Sequence, residues 1–389
     1  MTGFLRYRFL QVSVLGMLLT WGWVWDFVTR QGSFWRFGRM KAFFLGVACV
    51  VTHRIWKLWD GYTALFVFYL MGMYVYQGLP GHSGLDLLLI LGTLFMVPVI
   101  YDLVPLRVFE NTVLMTGTLH GVTGIVNAFG IYPFVEINNP VYTVAGRRNL
   151  PVGFMAQETL LAPFLVFAFG IALYRMLEER RLRYAVLSIL FLAVTVLTGS
   201  TMGAVSLVGC LLVFALFYGG MWAFTGGFVL LLSAGLLVNH FFPALSHLSG
   251  RMEPWKDAWN LFTQRPVFGY GLGSWSVLAQ QIREIRHQAL PWTQVHNEPL
   301  QMTLELGIVG MLPVLAFHLK ILGRVQALYW FRQKEMVPYV AGIAVFLGNA
   351  LGNYPLHVTP LGQLFAFCLF VVLKSLDSLP LNHAGAPTT

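Results

Sequence analysis

Long apolar runs separated by short polar loops dominate this chain of 389 residues. Hydrophobic residues make up 57% of the sequence and charged residues only 11%, whereas soluble domains carry about 25% charged residues. A chain with so few charges cannot cover a water-exposed surface, so many of its side chains must face hydrocarbon. The sequence therefore predicts an all-α integral membrane protein and argues against a soluble fold.

A helix needs about 20 apolar residues to cross the hydrocarbon core of a bilayer. About twelve segments approach this length, and we expect one polytopic membrane domain over residues 1–389. The predicted spans are residues 9–28, 42–56, 62–79, 85–104, 111–131, 152–176, 184–198, 204–219, 221–238, 301–322, 337–351 and 361–373. A long polar stretch, residues 240–300, separates the ninth span from the tenth.

Basic residues predict the orientation, because Lys and Arg accumulate in short cytoplasmic loops. Arg6 and Arg8 precede the first span and Lys374 follows the last one. Both termini are therefore predicted to be cytoplasmic and residues 240–300 extracytoplasmic. Three basic segments on the predicted outer side run against this topology: Arg30, Arg36, Arg39 and Lys41; Arg147 and Arg148; and Arg251, Lys256, Arg265, Arg283 and Arg286. The last segment is weak evidence, because long loops translocate largely regardless of charge.

Motifs for nucleotide or metal chemistry are absent: there is no Walker loop, HExxH, Asp-x-Asp or paired-cysteine motif. Cys49, Cys210 and Cys368 each lie in an apolar run and are predicted to be core residues. The net charge of +9 is accounted for by cytoplasmic loops and anionic membrane lipid. We therefore predict no metal, no cofactor and no nucleic-acid partner.

The loop 240–300 is predicted to contain two amphipathic helices that lie on the outer membrane surface. Pro254 suits the first turn of one helix, and Pro266 ends it. Ser274 can cap the second helix. Three glycines between the helices allow tight backbone geometry: Gly269, Gly271 and Gly273.

His296 and three arginines are the candidate functional residues on the predicted outer side. Imidazole titrates near neutral pH and can take a proton from an attacking hydroxyl. Arg147, Arg148 and Arg251 are candidate phosphate ligands, because one guanidinium group can donate two parallel hydrogen bonds to a phosphate. The structural alternatives stay open: His296 as a hydrogen-bonded interfacial residue, and the arginines as side chains that reach for the membrane surface.

Two carboxylates, Glu158 and Glu305, fall inside predicted spans. An ionisable residue within a membrane is costly and indicates a function or a charged partner. The arginines at 147, 148 and 251 are the predicted partners, and an ion pair with a purely structural role is equally compatible with the sequence.

Several motifs in the last two thirds of the chain resemble those of the O-antigen ligase and polymerase-like superfamily. They are His296-Asn297-x-x-Leu300 followed by Glu305-x-Gly307-Ile308-Val309-Gly310, Arg251-x-x-x-Trp255 followed by Pro266-Val267-Phe268-Gly269-Tyr270-Gly271-Leu272-Gly273, and the turn Thr198-Gly199-Ser200-Thr201-Met202-Gly203-Ala204. The long loop between the ninth and tenth spans also fits this family. In the turn, Met202 stands where the family often has an arginine.

The resemblance implies transfer of a glycan from a polyprenyl-pyrophosphate carrier to an acceptor hydroxyl at the outer face of the bacterial inner membrane. It implies that His296 is the base and that Arg147, Arg148 and Arg251 bind the pyrophosphate, without a metal and with inversion at the sugar. The expected supporting residues are Asn297, Glu158, Glu305, Trp255 and Gly271.

The acceptor is not reported by any motif. A ligase that uses lipid A core as acceptor is slightly preferred, and a polymerase that extends the glycan itself uses the same donor. A transporter or flippase of about twelve spans, with His296 and the arginines along the substrate path, is the alternative of another class. A non-catalytic scaffold in envelope assembly is the third possibility.

Overall fold

The computed structural model describes residues 90, 93, 96–98, 100–102, 104–129, 141–143, 146–148, 151, 153, 155, 157–241, 251–286 and 294–377. The predicted spans 9–28, 42–56 and 62–79, together with Cys49, lie outside these residues. Most of the predicted span 85–104 does so as well. The number of spans and the extent of the membrane domain therefore stay predictions.

Helices account for nearly all of the described residues, which agrees with the predicted all-α class. In chain order they are α1 (Leu106–Ala128), α2 (Glu158–Glu179), α3 (Leu182–Thr198), α4 (Thr201–Phe214), α5 (Gly220–Phe241), α6 (Met252–Gln264), α7 (Ser274–Arg286), α8 (Glu298–Trp330), α9 (Val337–Ala350) and α10 (Thr359–Lys374). A π-helical segment, Ala215–Gly219, joins α4 to α5, and 3-10 turns cover Lys334–Met336 and Pro355–His357.

A short antiparallel hairpin between α1 and α2 departs from the all-α prediction. Its strands are β1 (Val141–Thr143) and β2 (Gly146–Arg148), and Tyr142 pairs with Arg147. Strands of three residues give no usable alternation of apolar and polar side chains, so the sequence pattern could not reveal them.

Predicted and observed helix ends agree closely for α3, α9 and α10, which differ from residues 184–198, 337–351 and 361–373 by no more than two residues at either end. The predicted start of the span 152–176 is wrong. Gly153 has φ +54° and Gln157 is extended, so the helix begins only at Glu158. Glu158 is thus the first residue of α2 and lies at the end of this helix, not in its interior.

Three helical runs among the described residues are long and apolar enough to cross a membrane: Glu158–Glu179, Thr201–Leu230 and Glu298–Trp330. The run Thr201–Leu230 is interrupted at Gly220, where φ is +79°. The predicted division between spans 204–219 and 221–238 falls at this break. Together with the low charge content, these helices identify a membrane protein.

Helix α2 is the centre of the bundle and packs against α1, α3, α4 and α9. In the most apolar stretch of α2, 83% of the residues are buried, whereas only 28% are buried in the corresponding stretch of α8. Helix α8 therefore lies at the periphery of the described bundle. The outer face of α8 carries exposed apolar side chains at helical spacing: Ile308, Leu312, Leu315, Leu319 and Leu322. A continuous apolar stripe of this kind suits contact with lipid chains.

Candidate active site at one end of the helical bundle

Helix α8 is broken at Gly307, which has φ +64° and ψ −178°. A break inside a membrane helix frees backbone N–H and C=O groups that need other partners. The loop before α7 supplies these partners through four hydrogen bonds. Two are donated by the loop, Tyr270 N–H to Leu304 O at 3.1 Å and Gly271 N–H to Glu305 O at 2.7 Å. Two are donated by α8, Ile308 N–H to Pro266 O at 2.8 Å and Val309 N–H to Val267 O at 3.1 Å. We call residues 266–271 and 304–309 together the Gly307 clamp.

The glycines of the clamp are required by the close approach of two backbones. A Cβ atom on Gly269 would come within 2.6 Å of backbone atoms of Leu304, Glu305 and Gly307. A Cβ atom on Gly307 would meet the carbonyl oxygen of Val267 and the nitrogen of Gly269. The segment from Pro266 to Gly271 therefore fits the break only because both contact points lack side chains.

The two predicted loop helices are present as α6 and α7. Helix α6 ends at Gln264, shortly before Pro266, and α7 begins at Ser274 as expected. Their apolar faces and the start of α8 form a small core of their own: Ala258, Phe262, Trp275, Ala279, Val295 and Leu304. The loop is thus packed on α8 by side chains as well as by the clamp.

Glu305, buried to 1% exposure, fastens the start of α7 to α8. Its carboxylate oxygens accept the backbone N–H of Gly273 at 2.9 Å and, more weakly, that of Trp275 at 3.4 Å. A carboxylate at a helix N-terminus is favoured by the helix dipole and satisfies otherwise unpaired N–H groups. Glu305 is therefore bonded to loop backbone, and its role here is to cap α7.

His296 lies between the loop and α8 in a left-handed backbone conformation, with φ +57°. Such a conformation is uncommon outside glycine and is maintained only where its neighbours fix it. The indole N–H of Trp255 donates to the carbonyl of His296 at 3.3 Å. The side chain of the next residue, Asn297, caps α8 by accepting a hydrogen bond from the N–H of Leu300 at 3.0 Å. Of the expected supporting residues, Trp255 thus bonds to the backbone of His296, and Asn297 fixes the start of the helix that follows it.

The imidazole of His296 is half-buried and packs edge-to-face against the ring of Tyr354, with 5.0 Å between the ring centroids. Burial, and then the positive charge of Arg251, lower the pKa of His296 to about 4. His296 is consequently neutral at physiological pH, which is the form of imidazole that can accept a proton.

Arg251 lies at the start of α6 among polar groups from several segments. Burial lowers the pKa of its guanidinium, whereas Tyr354 and Glu158 raise it. The hydroxyl of Tyr354 donates to the side-chain oxygen of Gln157 at 3.0 Å. The start of α2, the start of α6, His296 and the turn before α10 thus share one electrostatic environment. A direct ion pair between Glu158 and Arg251 stays a prediction.

Arg147 and Arg148 lie in β2, where they pair across the hairpin with Tyr142 and Val141. The segment after β2 is tied to α1 through Gly153, whose N–H donates to the side-chain oxygen of Asn127 at 3.1 Å. A contact between these guanidinium groups and His296 stays a prediction.

The turn between α3 and α4 forms as a tight helix-to-helix connection. Gly199 ends α3 with φ +64°, and the Ser200 hydroxyl caps α4 by accepting the N–H of Gly203 at 3.1 Å. Met202 is buried against Gly352, just before Tyr354 in the chain. This turn therefore contributes the thioether of Met202 at the position where the family often has an arginine.

Sequence reasoning missed Gln157, Glu298 and the turn residues Tyr354 and His357. Glu298 is 1% exposed and accepts a hydrogen bond from His357 Nδ1 at 3.0 Å. A histidine and a tyrosine in an otherwise uncharged loop near the predicted outer face were the available signal. No periodic pattern links that loop to His296, so only the three-dimensional structure connects them.

The site combines a neutral imidazole with a guanidinium that acts on it electrostatically. The first can accept a proton and the second can stabilise a negative charge, which together suit displacement of an anionic leaving group by a hydroxyl. Among the described residues, no group of three or more His, Cys, Asp or Glu side chains is arranged to hold a metal ion.

Residues 159–315 match the family model described as O-antigen ligase. The match runs from α2 to the first half of α8 and includes Arg251, Trp255, Gly271, His296 and Glu305. The resemblance predicted from the motifs is thereby confirmed for this segment. Arg147, Arg148 and Tyr354 lie outside it. No curated protein matches the chain.

Proposed function

Starting from this O-antigen-ligase-like segment, we propose that the protein transfers a glycan from a polyprenyl-pyrophosphate carrier to an acceptor hydroxyl at the extracytoplasmic face of the bacterial inner membrane. His296 acts as the base, and Arg251 binds the pyrophosphate together with Arg147 or Arg148. No cofactor takes part. The preferred acceptor is the lipid A core, as in an O-antigen ligase.

The observation that carries the proposal is that the first turn of α6 links Arg251 to His296 at one end of the bundle: the backbone N–H of Trp255 bonds to the carbonyl of Arg251, and its indole N–H bonds to the carbonyl of His296. Arg251 contributes to the lowered pKa of His296, so the two groups share one electrostatic environment. The charged guanidinium can bind a phosphate anion, and the neutral imidazole can accept the proton of a hydroxyl group. A single anionic headgroup beside an attacking hydroxyl would use both.

The distribution of basic residues supports an outward-facing site. Arg175, near the far end of α2, forms an ion pair with Glu110. The neighbouring carboxylate of Glu179 binds Arg107 at 3.0 Å. Helix α2 has 22 residues, which corresponds to about 33 Å. The arginine-rich end thus lies far from Gln157 and Tyr354, and the positive-inside rule assigns it to the cytoplasm.

The proposed reaction is a direct displacement at the anomeric carbon. As the acceptor oxygen approaches, its proton passes to His296, and the bond from the anomeric carbon to the pyrophosphate oxygen breaks. The electron pair leaves with the pyrophosphate, whose added negative charge is stabilised by Arg251. One displacement inverts the configuration at the sugar. Pyrophosphate is a good leaving group and needs no protonation by the protein.

A transfer assay with purified protein in nanodiscs and a defined polyprenyl-pyrophosphate glycan tests the proposal. His296→Ala should reduce kcat by about 100-fold or more, in line with the loss of a general base. Arg251→Ala should reduce kcat/KM for the donor. Lys256→Ala, an exposed cation on the same loop, is the matched control and should keep wild-type rates. Full activity of His296→Ala in a folded protein would contradict the proposal.

The acceptor separates the two transferase readings. A ligase should attach the glycan to lipid A core and leave the length of the glycan unchanged, whereas a polymerase should lengthen the carrier-linked glycan without lipid A core. A transporter or flippase should form no glycosidic bond with either acceptor. The same purified protein therefore distinguishes all three from their products.

A further inference from the structure

A buried clasp joins the start of α8 to the turn between α9 and α10. One carboxylate oxygen of Glu298 accepts three hydrogen bonds: from Leu356 N–H at 2.7 Å, from His357 N–H at 3.0 Å and from His357 Nδ1 at 3.0 Å. Glu298 is also the first residue of α8, where the helix dipole favours a negative charge. A buried carboxylate with these partners fixes the turn firmly against the helix.

The clasp continues to the loop through Gln301. The side-chain amide nitrogen of Gln301 donates to Glu305 at 3.1 Å and lies 3.4 Å from His357 Nε2. Its amide oxygen accepts the N–H of Val295 at 3.1 Å. If His357 donates from Nδ1, its Nε2 can accept the second amide hydrogen of Gln301, so every polar atom of that side chain is used.

The clasped turn carries Tyr354, whose ring forms the contact with His296. Tyr354 precedes the 3-10 turn Pro355–His357 directly, so the bonds from Glu298 fix the chain next to it. On its other side the Tyr354 hydroxyl is held by Gln157. The ring is therefore fixed from two directions, and it forms one wall of the place occupied by the imidazole.

We infer that Tyr354, Glu298 and His357 are positioning residues that hold the imidazole of His296 in the orientation needed for transfer. The inference rests on the proposed role of His296 as the base. None of the three residues is assigned contact with the substrate. Tyr354 acts through its ring on His296, and Glu298 and His357 act through the turn that carries Tyr354.

Positioning residues should affect the chemical step more than donor binding. A displacement of about 1 Å at a catalytic group can cost on the order of 100-fold in rate. Tyr354→Ala removes the ring that packs on His296, and Glu298→Ala leaves the three donors of the turn without their acceptor. Both should lower kcat by about 10- to 100-fold, while KM for the donor changes by no more than about threefold.

Conservative variants should restore the rate, because they keep the contact that matters. Tyr354→Phe keeps the ring beside His296, and Glu298→Gln keeps an acceptor oxygen for Leu356 and His357. Each should retain kcat within about threefold of wild type, well above the corresponding alanine variant. Leu351→Ala, an exposed side chain at the end of α9, is the control for non-specific effects of substitution near the turn.

The pH dependence of kcat/KM provides a readout that a purely structural role would not change. Among the residues that the structure describes, Arg251, Tyr354 and Glu158 are the charged and titratable groups that act on or around His296. Tyr354→Ala exposes the imidazole to water, which relieves its burial. The acid limb of the profile should then move upward from about pH 4, towards the ordinary histidine value of about 6.5.

The experiment measures kcat, KM and the pH profile of the five variants above and of His296→Ala in nanodiscs, with thermal unfolding as the check on folding. Alanine variants that retain wild-type kcat and an unchanged acid limb would overturn the inference, as would glutamine or phenylalanine variants no better than alanine. An active His296→Ala would instead remove the proposed base. An inactive His296→Ala beside fully active Tyr354→Ala and Glu298→Ala would overturn the positioning role alone.

Discussion

The carboxylate of Glu305 accepts the backbone N–H of Gly273 at 2.9 Å, so a buried acid within α8 holds the first turn of a loop helix. This bond crosses from the bundle to the loop on the side where His296 lies. Gln301, one helical turn earlier, donates to the same carboxylate. The position of α7 is therefore determined by α8 and not by the loop alone.

Glu305→Ala should loosen α7 selectively. The N–H groups of Gly273 and Trp275 would lose their acceptor, and each buried unpaired donor costs about 1–3 kcal/mol. Hydrogen exchange should accelerate at these two amides and along α7, while α2 keeps its protection. Glu284→Ala, an exposed carboxylate on the same helix, is the control. Unchanged exchange in α7 after Glu305→Ala would show that the cap contributes nothing.

Gly307→Ala should prevent normal folding of the clamp. The substitution adds a Cβ against Val267 and Gly269 at a positive φ angle, which alone costs about 1–3 kcal/mol. The yield of monodisperse protein in detergent should fall sharply. Gly323→Ala is the matched control in the same helix, because a Cβ there meets open space. If both variants purify equally well, the clamp tolerates a side chain and this account of it is wrong.

Trp255→Phe should impair the transfer step without unfolding the protein. Phenylalanine keeps the apolar ring but removes the N–H that bonds to the carbonyl of His296. A hydrogen bond contributes about 1 kcal/mol, so kcat should fall by about fivefold. Trp259→Phe, on an exposed side chain of the same helix, should leave kcat unchanged. Equal rates for both variants would contradict a role for Trp255 in holding His296.

The pH profile should reflect the lowered pKa of His296. The neutral imidazole is the active form, so kcat/KM should stay constant from neutral pH down to about pH 5 and fall as pH decreases through about 4. A negatively charged donor favours the protonated form, so the acid limb of kcat should lie at higher pH than that of kcat/KM.

Arg251→Gln provides the sign test for this profile. Removing the positive charge takes away one cause of the lowered pKa of His296, so the acid limb of kcat/KM should move to higher pH. Arg283→Gln changes a charge elsewhere in the loop and is the control. A limb near pH 6.5 already in the wild-type protein would mean that the imidazole titrates as in water.

The sequence predicted the elements whose signals are local. Apolar period and proline positions predict α6, which has Pro254 in its first turn and ends two residues before Pro266, and the hydroxyl of Ser274 predicts the start of α7. The sequence shows the glycines at 269 and 271 but does not explain why they are needed. They are needed because the loop backbone packs against the break in α8 at Gly307. No local pattern indicates a contact between segments so far apart in the sequence.

The candidate site was predicted only in part for the same reason. Chemistry and resemblance point to His296 and Arg251, and in the fold Trp255 bonds the first turn of α6, which follows Arg251, to the backbone of His296. Tyr354 belongs to the site through its ring contact with His296. Glu298 belongs to it through hydrogen bonds to the turn, of which the one to Leu356 joins residues 58 positions apart in the sequence. Such partners follow from the packing of α8 against the turn before α10, which a one-dimensional pattern does not contain.

The interlocked backbones of the Gly307 clamp also determine how this part of the protein can come apart. Four backbone amides form hydrogen bonds between the loop and α8. We expect that none of them exchanges with solvent until the loop and the helix separate. Their exchange rates should therefore rise and fall together, as one cooperative unit. During insertion into the membrane, the first half of α8 can reach its final shape only once the preceding loop has arrived beside it.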